Sequence, residues 1–402
     1  MSPETSARAL DGVRVVEAAT LGAAPYIATF LGEYGAEVIK IEQPGKGDPL
    51  RNWGHLKDGV GLLWKTVGRN KKSVTLDFHD EDGRDVFKKL VDTADILIVN
   101  FRPGRLEKWG LGYEMLKQTN PGLIMVAVSA FGQTGPYSSR PGFGTLVEAM
   151  SGFAHITGEA DGPPTLPPMP LADAFASQAG LGASLAALHH RDVNGGTGQY
   201  IDVSLLEPLT RFLEHMLVDY DQLGIIQQRA GNKWAITVPR NTYATSDGQW
   251  IAMSGSAPSI AERAIRAIGR LDWLEDPIYS DAQLRLQHAD EIDDEFAKWI
   301  GARTLEEAMA VFEEYEVAAA PVYSIAQLVE DPHVKARKIF VRVEDDELDQ
   351  PLVQVPVARL SETPGRIDHL GRKLGADTDE VLSRVAGLSA DEIAELRQRG
   401  IV

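Results

Sequence analysis

Short β-branched runs alternate with helix-patterned stretches over the first 130 residues. That rhythm restricts the fold severely, because parallel strands must be joined by long crossovers and the usual crossover is a helix. The strand-like runs are Val13–Glu17, Ala36–Glu42, Lys72–Phe78, Ala94–Asn100 and Gly122–Ser129, and helical patterns lie over Pro25–Tyr34, over Asp80–Thr93 and around Tyr113–Thr119. Gly122–Ser129 (GLIMVAVS) is apolar almost throughout, which suits a strand covered on both faces. The expectation is an α/β chain with a parallel sheet.

The pattern changes further on. Phe143–Leu223 is mainly helical, with a long small-residue helix over Asp173–His190 and one strand at Gln199–Leu205. Residues 224–240 read as loop, then two strands flank a turn at Asp247-Gly248, and helical patterns cover 259–269, 281–300 and 304–316. These boundaries give a large domain at 1–229, a smaller α+β domain at 230–330, and a segment at 331–402 that returns to the large domain.

Several chemistries are excluded by what the chain lacks. It has no cysteine, so thiolate nucleophiles, disulfides and thiolate metal sites are impossible. None of its nine histidines shows a ligand spacing such as HExxH, so no metal is expected. The turn after the first strand, Glu17-Ala18-Ala19-Thr20-Leu21-Gly22-Ala23-Ala24-Pro25, is not GxGxxG, and no GxSxG elbow occurs. A net charge of −18 argues against nucleic acid as a partner. No stretch reaches the roughly 18 apolar residues of a membrane span, and no signal-like segment opens the chain, so a cytoplasmic location without a membrane partner is expected.

Two basic groups are candidate anion sites. Lys65, Arg69, Lys71 and Lys72 fall within eight residues without an acid between them, and Arg102, Arg105 and Lys108 follow the strand ADILIVN. Both are placed where ligands bind in open sheets, although a solvated basic face would read the same way. Asp173 opens an apolar helix after a proline-rich stretch. Its plain reading is an N-cap, and the same geometry would hold a carboxylate ionised and fixed as a nucleophile.

Long motifs spread over the chain decide between these readings. The opening LDGVRVVEAATLGAAPYIATFLGEYGAEVIKIEQPGKGDPLR, GRNKKSVTLDF, ADILIVNFRPG, GLGYEMLKQTNPGLIMVAVSAFGQTGPY, the PLAD ending at Asp173 and the terminal SADEIAELRQRGIV resemble the class III CoA-transferase family, which also contains α-methylacyl-CoA racemase. The resemblance implies a Rossmann-like large domain with a smaller one, in a homodimer of interlocked subunits, with a paralogous partner as an alternative. It implies coenzyme A or an acyl-CoA as substrate, a small carboxylic acid as second substrate, and Asp173 as nucleophile. By the same resemblance Leu21, Gly22 and Ala23 match one CoA contact loop, Asn70 and Lys71 a second, Asn100, Phe101 and Arg102 a third, and Ser129 to Gly132, with Phe131, a fourth. Arg105 and Lys108 stand near the expected phosphates. Gln43 replaces a frequent arginine.

The implied chemistry passes from an acyl-aspartyl anhydride to an aspartyl-CoA thioester and back, and needs neither metal nor ATP. A racemase would need a histidine where Phe143 stands, and His155 reads as structural, so transfer is favoured. The alternatives are an acyl-CoA racemase and a non-catalytic CoA-binding subunit. Val238-Pro239-Arg240 lacks the glycine run of formyl-CoA transferases, and the segment looks more like members that act on succinyl-CoA and dicarboxylic or aryl acids. Arg240, with Asn241, is then a candidate clamp for a second substrate carboxylate, against a turn-stabilising role. Charge is uneven as well: residues 1–120 hold 17 basic and 17 acidic side chains, and residues 271–350 hold 7 and 21. A neutral large domain can accept CoA phosphates where an evenly acidic one would repel them.

Overall fold

The alternating runs pair into one six-stranded sheet whose neighbours are all parallel. The structure is a computed structural model, and it describes residues 7–402. In chain order the strands are β1 (Arg14–Ala18), β2 (Glu37–Glu42), β3 (Lys71–Thr75), β4 (Ile96–Val99), β5 (Ile124–Ser129) and β6 (Tyr200–Ser204). Their spatial order is β3-β2-β1-β4-β5-β6. The chain therefore builds outward from β1 on one side and then lays β4 against its other side. That reversal opens a crevice at the carboxyl ends of β1 and β4, which is where doubly wound sheets bind ligands.

Side-chain alternation explains why these strands read as continuous apolar runs. Val16, Ala18, Ile39, Ile41, Leu97, Val99, Met125 and Ala127 enter one core, and Val15, Val38, Ile96, Ile98, Ile124, Val126 and Val128 enter the other. Both faces are buried, so both parities are mainly apolar, and the charges the strands do bury, Glu17, Lys40, Glu42 and Lys71, are paired with one another or with neighbours. Four helices matter for the site: α1 (Ala23–Glu33), α2 (Glu81–Val91), α3 (Gly144–Met150) and α4 (Leu171–Val193).

Helices α1 and α4 belong to the second of these cores, and their closeness comes from small residues. Ala172, Ala176, Gly180, Ser184 and Ala187 recur about every four positions along α4 and are all buried. A side chain at Gly180 would run into Ile27 of α1. The opposite face is covered by α2 and by two C-terminal helices, α5 (Thr378–Arg384) and α6 (Ala390–Gln398), through Phe87, Val381, Leu382, Ile393 and Leu396. The same segment seals the exposed edge of the sheet at β3. Asp377 accepts the Ser73 N–H at 2.9 Å, and the Ile401 carbonyl accepts that of Asp77 at 2.8 Å.

By contact the chain divides into two units. Residues 154–165 and 224–336 form one of them, and the rest forms the sheet-bearing unit. The former has an antiparallel sheet of Arg240–Ala244, Trp250–Ser254 and Ala319–Pro321, the middle strand being Trp250–Ser254. Its core gathers Tyr243, Ile251, Met253, Ile292, Phe296 and Phe312. The expected helix over 281–300 is two helices, Ala282–Gln287 and Ala289–Gly301, because the backbone leaves helical geometry at His288. Among the described residues no helix is long and apolar enough to cross a membrane.

Candidate active site

Asp173 lies in the first turn of α4, which starts at Leu171, so it is inside the helix and does not cap it. Its carboxylate turns to a different helix. Oδ1 accepts the backbone N–H of Ala23, the first residue of α1, at 2.9 Å. One carboxylate thus serves an orphan donor of α1 while standing at the positive end of its own helix.

Two glycines make room for this arrangement. A Cβ at Gly22 would overlap Oδ1 of Asp173, and a Cβ at Gly144, the first residue of α3, would overlap Oδ2. Glu148, also on α3, is buried and accepts the Ala172 N–H at 3.1 Å. Burial pushes the Asp173 carboxyl above its ordinary value; the Ala23 N–H pulls the other way, and the Glu148 charge adds to the rise. A carboxylate held in place and made more basic than usual is a competent nucleophile.

The carboxylate faces a cleft of about 290 Å³ whose lining includes Leu21, Gly22, Asn100, Arg102, Ser129 and Phe143. A second cleft of about 360 Å³ adjoins it, and Thr20 and Phe101 line both. The second is built around Phe78, His79, Phe101 and Trp109, with Gln43 and Lys46 on its other side. Asn100 ties the two loops of the crevice together: its amide donates to the Thr20 carbonyl at 2.7 Å, and its Oδ1 accepts the Thr20 N–H at 3.0 Å. Leu21 has a positive φ of 64°, an uncommon conformation for a branched residue, and its N–H is held by Asp48 at 3.2 Å.

The residues singled out in the sequence are brought together only in part. Leu21, Gly22, Ala23, Asn100, Phe101, Arg102 and Ser129 meet Asp173 in one cleft. Phe131 and Gly132 follow immediately beyond; the Phe131 ring packs on Tyr137, and Gly132 takes a positive φ of 84°. Arg105 stacks over Trp109 at 4.5 Å, beside the second cleft, while Lys108 is exposed outside both linings. Arg240 and Asn241 lie in the smaller unit. There Arg240 donates to the Asn232 carbonyl at 2.7 Å, and Asn241 donates to Asp293 at 3.2 Å. His155 is also in that unit, where its carbonyl accepts Arg229.

The basic run at 65–72 requires a correction, since its cations are spent inside the fold. Lys65 pairs with Asp345 and Glu347 at 2.8 and 2.9 Å, Arg69 with Glu33, and Lys72 with Glu37 and Glu380 at 3.1 Å. Lys71 is buried on Glu17 and the Pro25 carbonyl. Asn70 accepts the Asp368 and His369 N–H groups and donates to the Gly32 and Arg366 carbonyls. This stretch pins the C-terminal segment to α1 and β3 and offers no open anion site.

Sequence reading passed over Gly144, Glu148, Lys46 and the loop Leu76–His79. The last had a usable signal. The run Lys72–Phe78 reads as strand to its end, whereas the ladder stops at Thr75 and the next residues line the second cleft, at the carboxyl end of a strand.

The model of CoA-transferase family III matches residues 10–378. A succinyl-CoA–D-citramalate CoA-transferase of Chloroflexus aurantiacus is 41% identical over 404 residues, covering the whole of both chains. The alpha subunit of a succinyl-CoA–L-malate CoA-transferase of Chloroflexus aurantiacus is 40% identical over 98% of this chain and 92% of that protein. Among solved structures, a CaiB/BaiF family protein of Brucella suis superposes with a TM-score of 0.83 at 28% identity, covering 94% of this chain and 99% of that one.

Proposed function

The chain belongs to CoA-transferase family III, and from that premise we propose that it moves CoA from succinyl-CoA, or a closely similar thioester, to a small dicarboxylic acid through covalent intermediates on Asp173. The observation that carries this reading is the Asp173 carboxylate itself, wedged between Gly22 and Gly144 with one oxygen on the Ala23 N–H. In this reading the CoA ester runs across the adjoining clefts, its flat base among Phe78, Phe101 and Trp109 and its thioester at Asp173. Arg102 and Lys46 offer cations along that path, and no ion pair engages either among the described residues.

The steps follow from the two unlike oxygens. Oδ2, which Ala23 does not hold, attacks the thioester carbonyl; the C–S bond breaks, CoA leaves as thiolate, and an acyl-aspartyl anhydride forms. The thiolate then attacks the Asp173 carbonyl carbon and places developing negative charge on Oδ1. The Ala23 N–H is already directed at that atom and stabilises it as an oxyanion-hole donor would. Collapse releases the donor acid and leaves an aspartyl-CoA thioester. An acceptor carboxylate repeats both steps in reverse and restores Asp173. Holding the thiolate between steps makes each attack intramolecular.

The lining of the Asp173 cleft contains no histidine, and Phe143 stands where a racemase would need its second acid–base group. Assembly belongs to the same proposal. The helix Glu214–Leu223 buries none of its own residues, and Phe212, Leu217, Tyr220 and Leu223 expose more than half of their surface. A second copy of this chain is the occupant that the reading places on this face.

The test is to incubate the enzyme with succinyl-CoA without an acceptor, quench with hydroxylamine and sequence the peptides. A hydroxamate at Asp173 is expected, together with complete loss of labelled-succinate exchange in Asp173→Ala. Full exchange in Asp173→Ala overturns the reading.

A further inference from the structure

Four ionisable side chains are sealed beneath the loop that carries Ala23. Glu17 of β1, Lys40 of β2, Lys71 of β3 and Asp48 are each no more than 1% exposed. Lys40 Nζ donates to Glu17 Oε1 and Asp48 Oδ2, both at 2.7 Å, and to the Ala19 carbonyl. Asp48 Oδ1 accepts the N–H groups of Leu21 at 3.2 Å and Leu50 at 2.9 Å. Lys71 Nζ pairs with Glu17 Oε2 at 2.8 Å and donates to the Pro25 carbonyl at 2.7 Å.

The backbone atoms these charges grip are Ala19, Leu21 and Pro25, which flank Gly22 and Ala23 on both sides. Buried ion clusters are poor devices for stability alone, because an apolar cluster of similar volume often stabilises as well or better. Here the charges fix a turn whose Leu21 is in a strained conformation, and the next residues carry the glycine and the N–H that meet Asp173. We propose that the Glu17–Lys40–Asp48–Lys71 cluster positions the Ala19–Pro25 turn, and through it the Ala23 N–H, against the nucleophile. These are positioning residues: none of the four lines the Asp173 cleft, and only Asp48 reaches the lining of the second cleft. The proposal rests on the reading of Asp173 as nucleophile.

One member gives the cluster a measurable signature. Burial pushes the Lys71 ammonium down to about 8; Glu17 opposes this, the like charge of Lys40 adds to it, and Asp48 opposes it more weakly. For Lys40 burial acts downward too, but Glu17, Asp48 and Glu42 outweigh it and leave that lysine above its ordinary value. Near pH 8 the four charges therefore change from balanced to one cation short, and the Pro25 side of the turn loses its ionic anchor. Activity should fall there. Stability should move the other way: the folded pKa of Lys71 lies below its unfolded value of 10.5, so between about 8 and 10.5 the unfolded chain binds more protons and this contribution rises with pH.

The experiment follows exchange of labelled succinate into succinyl-CoA between about pH 6 and 10, in the wild type, Glu17→Gln and Lys71→Met, with thermal melting as a check on folding. The wild type is expected to lose kcat through an alkaline limb near pH 8. Glu17→Gln should shift that limb to lower pH, because the charge that raises Lys71 is gone. Lys71→Met should lower kcat by about tenfold or more, without an alkaline limb, and leave KM for succinyl-CoA within about threefold. If Lys71→Met does not fold, the other two profiles decide. A wild type without the limb, or a limb unmoved in Glu17→Gln, overturns the proposal. A wild type that exchanges no succinate at any pH instead overturns the transferase reading, and this proposal falls with it.

Discussion

Asp173 is bounded so closely that a methyl group added at Gly22 or Gly144 would overlap one of its carboxylate oxygens. Gly144→Ala places a Cβ onto Oδ2, the oxygen that attacks in the proposed mechanism. It should cost about 10²-fold in kcat, the usual penalty for displacing a reacting group by about 1 Å, while circular dichroism remains native. The carboxylate also carries a stability signature. Its folded pKa is raised by burial, so the ionised form is disfavoured in the native state. That cost is present above the folded pKa and disappears as pH falls through it to the unfolded value near 3.8. Asp173→Asn should therefore raise Tm at pH 7 and abolish exchange, and its advantage in Tm should vanish below about pH 4. An unchanged or lowered Tm at pH 7 would contradict the assignment of burial as the dominant cause.

At the scale of elements, what was legible in the sequence had local periodicity. The parallel strands β1, β2, β4 and β5 stand where their apolar runs lie, and the small-residue helix is α4, extended at both ends. The break at His288 has no proline or glycine to mark it, and Ala319–Pro321 is too short to show alternation. The run 65–72 looked like an anion site because its carboxylate partners are remote in sequence. Asp345 and Glu347 lie some 280 residues from Lys65, and Glu380 some 308 from Lys72. Local reading sees the cations and not what neutralises them. Asp173 was legible as a carboxylate at a helix start, but its bond to α1 depends on how closely α1 and α4 pack. Gly180→Leu tests that packing. It forces a side chain into Ile27 and should destabilise the fold by about 1–3 kcal/mol, read as a lower urea midpoint at unchanged m-value.

At the scale of the whole molecule, the charge of −18 is unevenly distributed between the units, since residues 271–336, all in the smaller unit, hold 16 acidic against 4 basic side chains. The early basic run is paired internally, so in the proposed reading Arg102 and Lys46, which line the two clefts, are the cations that meet an anionic substrate. The exposed apolar side of Glu214–Leu223 leads to a prediction at this scale. Native mass measurement should find a dimer, and Leu217→Glu with Tyr220→Glu should shift it to monomer; a wild-type monomer at micromolar concentration would contradict the assembly proposed here.

In the proposed mechanism Asp173 exchanges an oxygen atom with the substrate acid in every turnover. When succinate carrying isotopically heavy oxygen is mixed with succinyl-CoA and enzyme, its carboxylate attacks the aspartyl thioester and becomes the bridging oxygen of the anhydride. Attack of CoA on the succinyl carbonyl then leaves that oxygen on Asp173. Mass spectrometry of the peptide containing Asp173 should show one heavy oxygen in the wild type, at that residue alone. Succinyl-CoA exchange at full rate with an unlabelled Asp173 would rule out covalent intermediates on this residue.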